Sequence, residues 1–493
     1  MADCGQSEPA DLAVKNEPIL ADAPRLGKCL LRGYLWYNSA MLNRRHATGI
    51  AITPSAGLLT LLLVVSCVPQ INFPPLATVM ATSQASPPAT GATPSRPVAT
   101  ASPRPDEVSS PEPPRTSQLT LWTVEAVSPQ ADGEAGQIFG TGLKAFEKTY
   151  PDIPISVVLK NETGKGSVLD YLRTASPVAP SILPDLVVLN TVDLAQAARA
   201  GLVVPLEGLI SPALRNDLLP ATRAAGTVDG QLVGIPFEMD VEHLIYNTNK
   251  VFSTPVAWTD VISANTTYVF PAKGRNGLVN DAFLIQYLAL GGRLQDDEGR
   301  PFLDEQAVQA VLDYYRRGVE NGVIPPDVLT VSAPDDVWPQ YVSAQVGMAH
   351  VNSHRFLNDR NVLRSTQFAA IPTRDGTLLT ISRGRVLAIA AHDPGQQAIA
   401  ARLIEWLMAP DNNAAWSGAT ASLPTRYATF KLIGDDDPYW PFLQRQLEVA
   451  VPPPAFPEYD QMGRILQQAV VEVLNGEASP EEAATAAVDA ITP

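Results

Sequence analysis

The chain has 493 residues, 45% of them hydrophobic and 17% charged, with a formal net charge of -16. That is enough apolar material for a sizeable core, and the acidic balance disfavours nucleic acid and anionic lipid as partners. Its three cysteines are Cys4, Cys29 and Cys67, so everything after position 67 lacks disulfides and thiol chemistry.

The first feature in chain order is "LLTLLLVVSC", which ends at Cys67. The uncharged run 57–66 is shorter than the roughly 20 apolar residues that cross a bilayer. Arg44 and Arg45 precede it, with Met41 just upstream. A basic start, a short apolar stretch and a small residue before the cut describe a secretory signal over 41–66. "VVSC" also fits the bacterial lipobox, in which the cysteine is acylated and the chain is cut just before it. The mature protein is therefore expected to begin at lipidated Cys67, with residues 1–40 an upstream extension or a wrongly assigned start. Residues 67–117 are rich in Pro, Ala, Ser and Thr. Such a segment cannot bury enough apolar surface to fold, and its prolines keep it extended. It is expected to be a disordered spacer holding the body off a membrane surface.

The roughly 375 residues that remain exceed one compact core and predict two lobes. "QLTLWTVEA" (118–126) reads as a strand, and "GTGLKAFEKTYPDIPISVVLK" as a helix ending before Pro151 followed by a strand at 155–159. In "LPDLVVLNTVDLAQAARAGLVVPL" the continuous apolar run 186–189 reads as a buried parallel strand. Thr191 is then the expected N-cap of a helix, and Gly201 its stop. Val308, Val311, Leu312, Tyr315 and Val319 mark one helical face, and Ala400, Leu403, Ile404 and Leu407 another. Ser479-Pro480-Glu481-Glu482 is a capping box with proline at the first helical position. Alternating strands and helices imply an α/β architecture.

Catalytic signatures are missing. The sequence contains no GxSxG, HExxH, GxxxxGK[ST] or CxxC. His350 and His354 have HxxxH spacing, but "GMAHVNSHRF" breaks helical character and no carboxylate sits beside it, so no metal site is expected. "GDDDPYW" (434–440) lacks the alternating ligands and terminal glutamate of a calcium loop and reads as a solvated acidic loop.

Several stretches, in order, resemble the extracellular solute-binding proteins of ABC importers, specifically the sugar-binding group with maltose- and glycerol-3-phosphate-binding members. "LKAFEKTYPDIPISV" looks like that family's first helix and second strand. "LPDLVVLNTVDLAQAARAGLVVPLEGLI" looks like its strand, helix and Pro-Leu segment, and "GQLVGIPFEMDVEHLIYNTNKV" like its crossover. "SAQVGMAHVNSHRF" and "DPGQQAIAARLIEWLMAPDNNAAWSGATASLPTRYATF" continue the order. The resemblance covers essentially 118–493 and implies a two-lobed, type II periplasmic-binding-protein fold. Its ligand cleft would lie between lobes joined by several crossings. One lobe is expected at 118–239 plus 374–424, the other at 240–373 plus 425–493.

In such sheets ligands sit beyond the carboxyl ends of strands. Asn190 and Thr191 open a helix there and either cap it or meet the ligand; Trp122 and Glu125 end the first strand, with Trp122 open to a core role. By resemblance, Asp240 lies at the crossover and serves either the ligand or a hinge hydrogen bond. His354 stands where sugar-binding relatives carry a stacking tryptophan, and Tyr459 where they place an aromatic. Arg383 stands where relatives have small residues, and either pairs with an anionic ligand or bridges the lobes. The resemblance implies capture of a sugar, oligosaccharide or polyol phosphate and its delivery to permease subunits. It implies a monomer at the cell surface or in the periplasm, with no cofactor, metal or catalytic residue. The acidity leaves a polyamine open as ligand. A ligand-sensing module signalling to a membrane receptor, or a surface carbohydrate-active enzyme, are the alternatives.

Overall fold

The structure, a computed structural model, describes residues 118–434 and 436–491. The signal run, Cys67 and the spacer lie outside these residues.

Two separate hydrophobic cores organise the body. The first is built on three parallel strands, β1 (Leu119–Thr123), β2 (Ile155–Leu159) and β3 (Leu186–Asn190). Leu186–Leu189 are all buried, as a parallel strand covered on both faces requires. Each such side chain contributes about 1.5–3 kcal/mol by leaving water. A short ribbon, β4 (Thr227–Val228) with β5 (Gln231–Leu232), precedes the long strand β6 (Ile235–Asn247). The second core gathers around β7 (Tyr268–Val269), β8 (Met348–Asn352) and β9 (Thr366–Ala369), with β10 (Thr380–Ile389) and β11 (Ala450–Val451) completing the set. The main sheet runs β2-β1-β3-β10-β6-β8-β7, with β11 beside β10 and β9 beside β6.

Both long strands belong to both lobes. In β6, Ile235 and Phe237 lie in the first core, while Val241, Leu244 and Ile245 lie in the second. In β10 the order reverses: Ile381 packs in the second core and Val386–Ile389 in the first. The changeover in β10 thus falls between 381 and 386. The helix Pro220–Ala225 also sends Ala221 and Ala225 into the second core. A third crossing follows Trp416, which lies in the first core, and reaches Leu423 in the second. There Leu423 and Met239 exchange backbone hydrogen bonds of 2.8 and 3.0 Å. Gly384 sits opposite Met239 in the β10–β6 ladder. A Cβ on it would stand 2.1 Å from the Glu238 carbonyl oxygen and 2.6 Å from the Met239 sulfur, so only glycine allows the strands this close approach.

Helix termini follow the sequence with one correction. Helices span Glu134–Thr149, Glu305–Glu320 and Pro394–Leu407, the last two burying the faces that the apolar spacing predicts. The capping box is reciprocal: Ser479 Oγ accepts from Glu482 N at 3.2 Å, and Ser479 N donates to the Glu482 carboxylate at 3.0 Å. Thr191, however, is not the cap of its helix. The ladder with β10 extends β3 through Asn190, whose Oδ1 accepts from Asp193 N at 2.8 Å. Thr191 is therefore the first helical residue and is buried. Gly201, at φ +68, follows the end of this helix as expected. No helix among the described residues is long and apolar enough to cross a membrane.

Candidate functional site

Between the cores lies a cleft of about 1940 Å³. Its floor is the β6–β10 pair at the lobe junction. Alternate residues of a strand share a face, which places Glu238, Asp240 and Glu242 of β6 on the same side. In register, Asp240 stands opposite Arg383 and Glu238 opposite Arg385. All five line the cleft, so its floor is a ladder of three acids and two arginines.

Of the two cross-strand pairs, Arg385 and Glu238 bond to each other directly, whereas Arg383 pairs away from Asp240. Arg383 reaches Asp281 through two hydrogen bonds of 2.8 and 2.6 Å. Such a bidentate fork is the strong form of a guanidinium–carboxylate contact. Burial would raise the Asp281 carboxyl, but the Arg383 charge and hydrogen bonds, one of them from Glu242, hold it below its usual range. The Glu242 carboxyl is pushed up by burial and then by the Asp281 charge, against His350, whose Nε2 lies 2.5 Å from Glu242 Oε2. Arg385 is bonded to Glu238 and, at 2.9 and 3.1 Å, to Glu162. Glu238 also accepts from the Trp416 indole at 2.7 Å. Asp240 is half-buried, and burial raises its carboxyl. Its Oδ1 accepts from Ser353 Oγ at 2.5 Å and from His354 N at 3.0 Å.

Each wall of the cleft repeats one local unit, a strand ending in asparagine followed by a helix. Asn190 caps the helix Thr191–Arg199 on the first lobe. Asn352, which sequence reasoning missed, caps Ser353–Asp359 on the second, with its Oδ1 accepting from Arg355 N at 2.9 Å. The signal was present: "VVLNT" and "AHVNS" share the pattern of an apolar strand, asparagine and hydroxyl residue. Both asparagines line the cleft. A proline-rich strap, 452–458, also spans the lobes. Ala455 packs against the first core and accepts a hydrogen bond from Arg199, while Phe456 packs against the second.

Seven of the expected site residues share this cleft: Glu125, Asn190, Thr191, Asp240, His354, Arg383 and Tyr459. Glu125 lies in a 3-10 turn after β1, and Tyr459 starts the helix Tyr459–Asn475 with its side chain largely buried. Trp122 is not among the lining residues. It is 5% exposed in the first core, edge-on to Tyr171 at 6.0 Å, with the Lys160 ammonium 4.4 Å above its ring. Arg383 lines the cleft but is engaged with Asp281. His350 lies on β8 and His354 on the next helix, so the HxxxH pair shares no helical face. His243 is held near 4 by burial; its Nδ1 bonds the Leu244 carbonyl and its Nε2 meets the Tyr439 hydroxyl. Among the described residues no group of His, Cys, Asp and Glu is arranged to hold a metal ion.

A family model described as bacterial extracellular solute-binding protein matches residues 143–436. Solved structures share the fold. A cyclic α-maltosyl-1,6-maltose binding protein from Arthrobacter globiformis superposes with a TM-score of 0.62 at 20% identity, over 76% of this chain and 97% of its own. The sugar-binding protein of the phytopathogen Xanthomonas citri gives 0.62 at 19% identity, over 76% and 96%. An ABC transporter solute-binding protein from Thermotoga lettingae, bound with α-D-tagatose, gives 0.57 at 20%, over 76% and 98%.

Proposed function

The chain belongs to the bacterial extracellular solute-binding protein family, and from that premise we propose that it captures a carbohydrate or similar polar solute between its lobes and hands it to the permease of an ABC importer. The observation that carries this reading is the polar floor of a large cleft built on the strands that join the lobes. A solute touching that floor and both walls favours a closed form, and closure is a shape change that a membrane partner can read. The neighbours named for maltosyl-maltose and tagatose support a sugar or oligosaccharide as ligand. A polyol phosphate is disfavoured, because both floor guanidiniums are engaged by carboxylates. The helix N-termini on the walls likewise hold the protein's own acids, Asp193 and Asp240.

Binding is favoured over hydrolysis. Two of the three floor acids are tied to structural partners, Glu238 to Arg385 and Trp416, and Glu242 to His350. We assign the first lobe to about 118–238 with 386–416 and the second to about 239–381 with 423–491, which moves the changeover in β10 from the expected 373/374 to 382–385. Lipidation at Cys67 and the 67–117 spacer complete the proposal: a monomeric lipoprotein at the cell surface or in the periplasm. A thermal-unfolding screen over neutral mono- and oligosaccharides tests the ligand class. One of them should stabilise the protein by about 2.7 kcal/mol at a hundredfold excess over its dissociation constant. Stabilisation by phosphorylated polyols alone, or turnover of a bound sugar, would overturn the reading.

A further inference from the structure

Resting on the carbohydrate reading of this cleft, we infer that the solute carries a protonated amine among its hydroxyls, and that Asp240 is the carboxylate that receives it. The pattern of charge pairing leads there. Both guanidiniums of the floor are committed, Arg383 to Asp281 and Arg385 to Glu162 and Glu238. Asp240 stands directly across from Arg383 yet is left out of these pairs. Among the described residues no arginine or lysine pairs with it, and the His354 ring is the cationic group that favours its charged form. The Ser353 hydroxyl and the His354 amide both address Oδ1 and dock the helix Ser353–Asp359 onto the floor.

Apart from the His354 imidazole, the lining residues include two aromatic rings, Phe456 and Tyr459, and Tyr459 is 8% exposed. A neutral oligosaccharide depends on such faces for its C–H surfaces. Here they are scarce, and selectivity falls to polar and charged contacts. When the lobes close, water leaves the floor, and a half-buried carboxylate without a cation becomes costly. A hydroxyl offers Asp240 one neutral hydrogen bond, whereas an ammonium offers a charge-assisted one. The other arginines and lysine of the walls are engaged elsewhere. Lys160 sits over the Trp122 and Tyr171 rings, Arg199 is held by Asp229 and the strap, Arg173 donates to Gln196, and the Arg275 charge acts on Asp281.

Calorimetry on the full-length protein at pH 6.5 with two matched pairs tests the inference: glucosamine against glucose, and the disaccharide of two glucosamines against cellobiose. In the wild type the amine of at least one pair should bind at least about tenfold more tightly than its neutral partner. Asp240→Asn keeps an oxygen to accept from Ser353 and His354, so the empty variant should melt like the wild type while the preference shrinks to about two- to threefold. Asp240→Glu, which keeps the charge, should retain a preference and guards against a folding defect in the first variant. Equal binding of the neutral partners by the wild type would overturn the amine inference and leave the carbohydrate reading standing. A preference that survives in Asp240→Asn would remove Asp240 from the role. Binding of spermidine with no binding of any sugar would overturn the carbohydrate reading itself.

Discussion

Replacing Gly384 by alanine is expected to cost about 3 kcal/mol of stability, at the upper end for overpacking, because one methyl group meets backbone rather than a movable side chain. The added Cβ would lie 2.1 Å from the Glu238 carbonyl and 3.0 Å from the Met239 Cα. Relief requires β10 to move away from β6 at the lobe junction, where Met239 also exchanges hydrogen bonds with Leu423. The variant should therefore lose stability and also weaken ligand binding, because the floor is built on the same ladder. Urea unfolding with a binding isotherm checks both. A variant within about 0.5 kcal/mol of wild type, as for an ordinary surface change, would show that the strands do not need this close approach.

The second large effect is expected at Arg383. Arg383→Met keeps the volume but leaves the Asp281 carboxylate, 10% exposed, beside Glu242 without its cation. Stranding a buried charge costs about 3–5 kcal/mol, and the 35% exposure of the Arg383 side chain places the effect near the lower figure. Arg383→Met with Asp281→Asn should recover most of the loss, since the orphaned charge is then gone. The pH dependence has a definite sign. Asp281 is held below its ordinary value of 3.8, so it contributes stability above that pH and loses it as pH falls through the lower folded value. The gap between wild type and Arg383→Met should therefore narrow on acidification below pH 4. A gap that is small at pH 7, or that widens toward acid, would show the pair to be incidental.

What the sequence revealed, and what it hid, follows from the range of the interactions. The strand 186–189, the helix faces around Val308 and Leu403 and the box at Ser479 are written in neighbouring residues, and the structure has them there. Whether Asn190 or Thr191 caps the helix is not legible locally, because Asn and Thr are both good caps. The choice depends on how far β10 continues the ladder, nearly two hundred residues away in sequence. The place of Trp122 is not legible because β1 is buried on both faces, its Thr123 included, so alternation along the strand does not separate core from cleft. The partner of Arg383 was invisible for a similar reason. Asp281 lies 102 residues away, and only the fold brings them together. The lipobox and spacer remain readings of the sequence alone.

The central claim is that a solute closes the two lobes over the charged floor, and a distance across the cleft tests it most directly. Thr163 lines the rim of the first lobe, and Asp335 is exposed beside Ser332 and Pro334 on the rim of the second. With Cys4, Cys29 and Cys67 replaced by serine, spin labels at Thr163→Cys and Asp335→Cys report that distance by pulsed electron resonance. The account predicts that saturating sugar, identified by the stabilisation screen, shifts the distribution to one shorter and narrower population. It also predicts that Gly384→Ala blunts this shift. An unchanged distribution in a protein shown by calorimetry to be fully bound would contradict it.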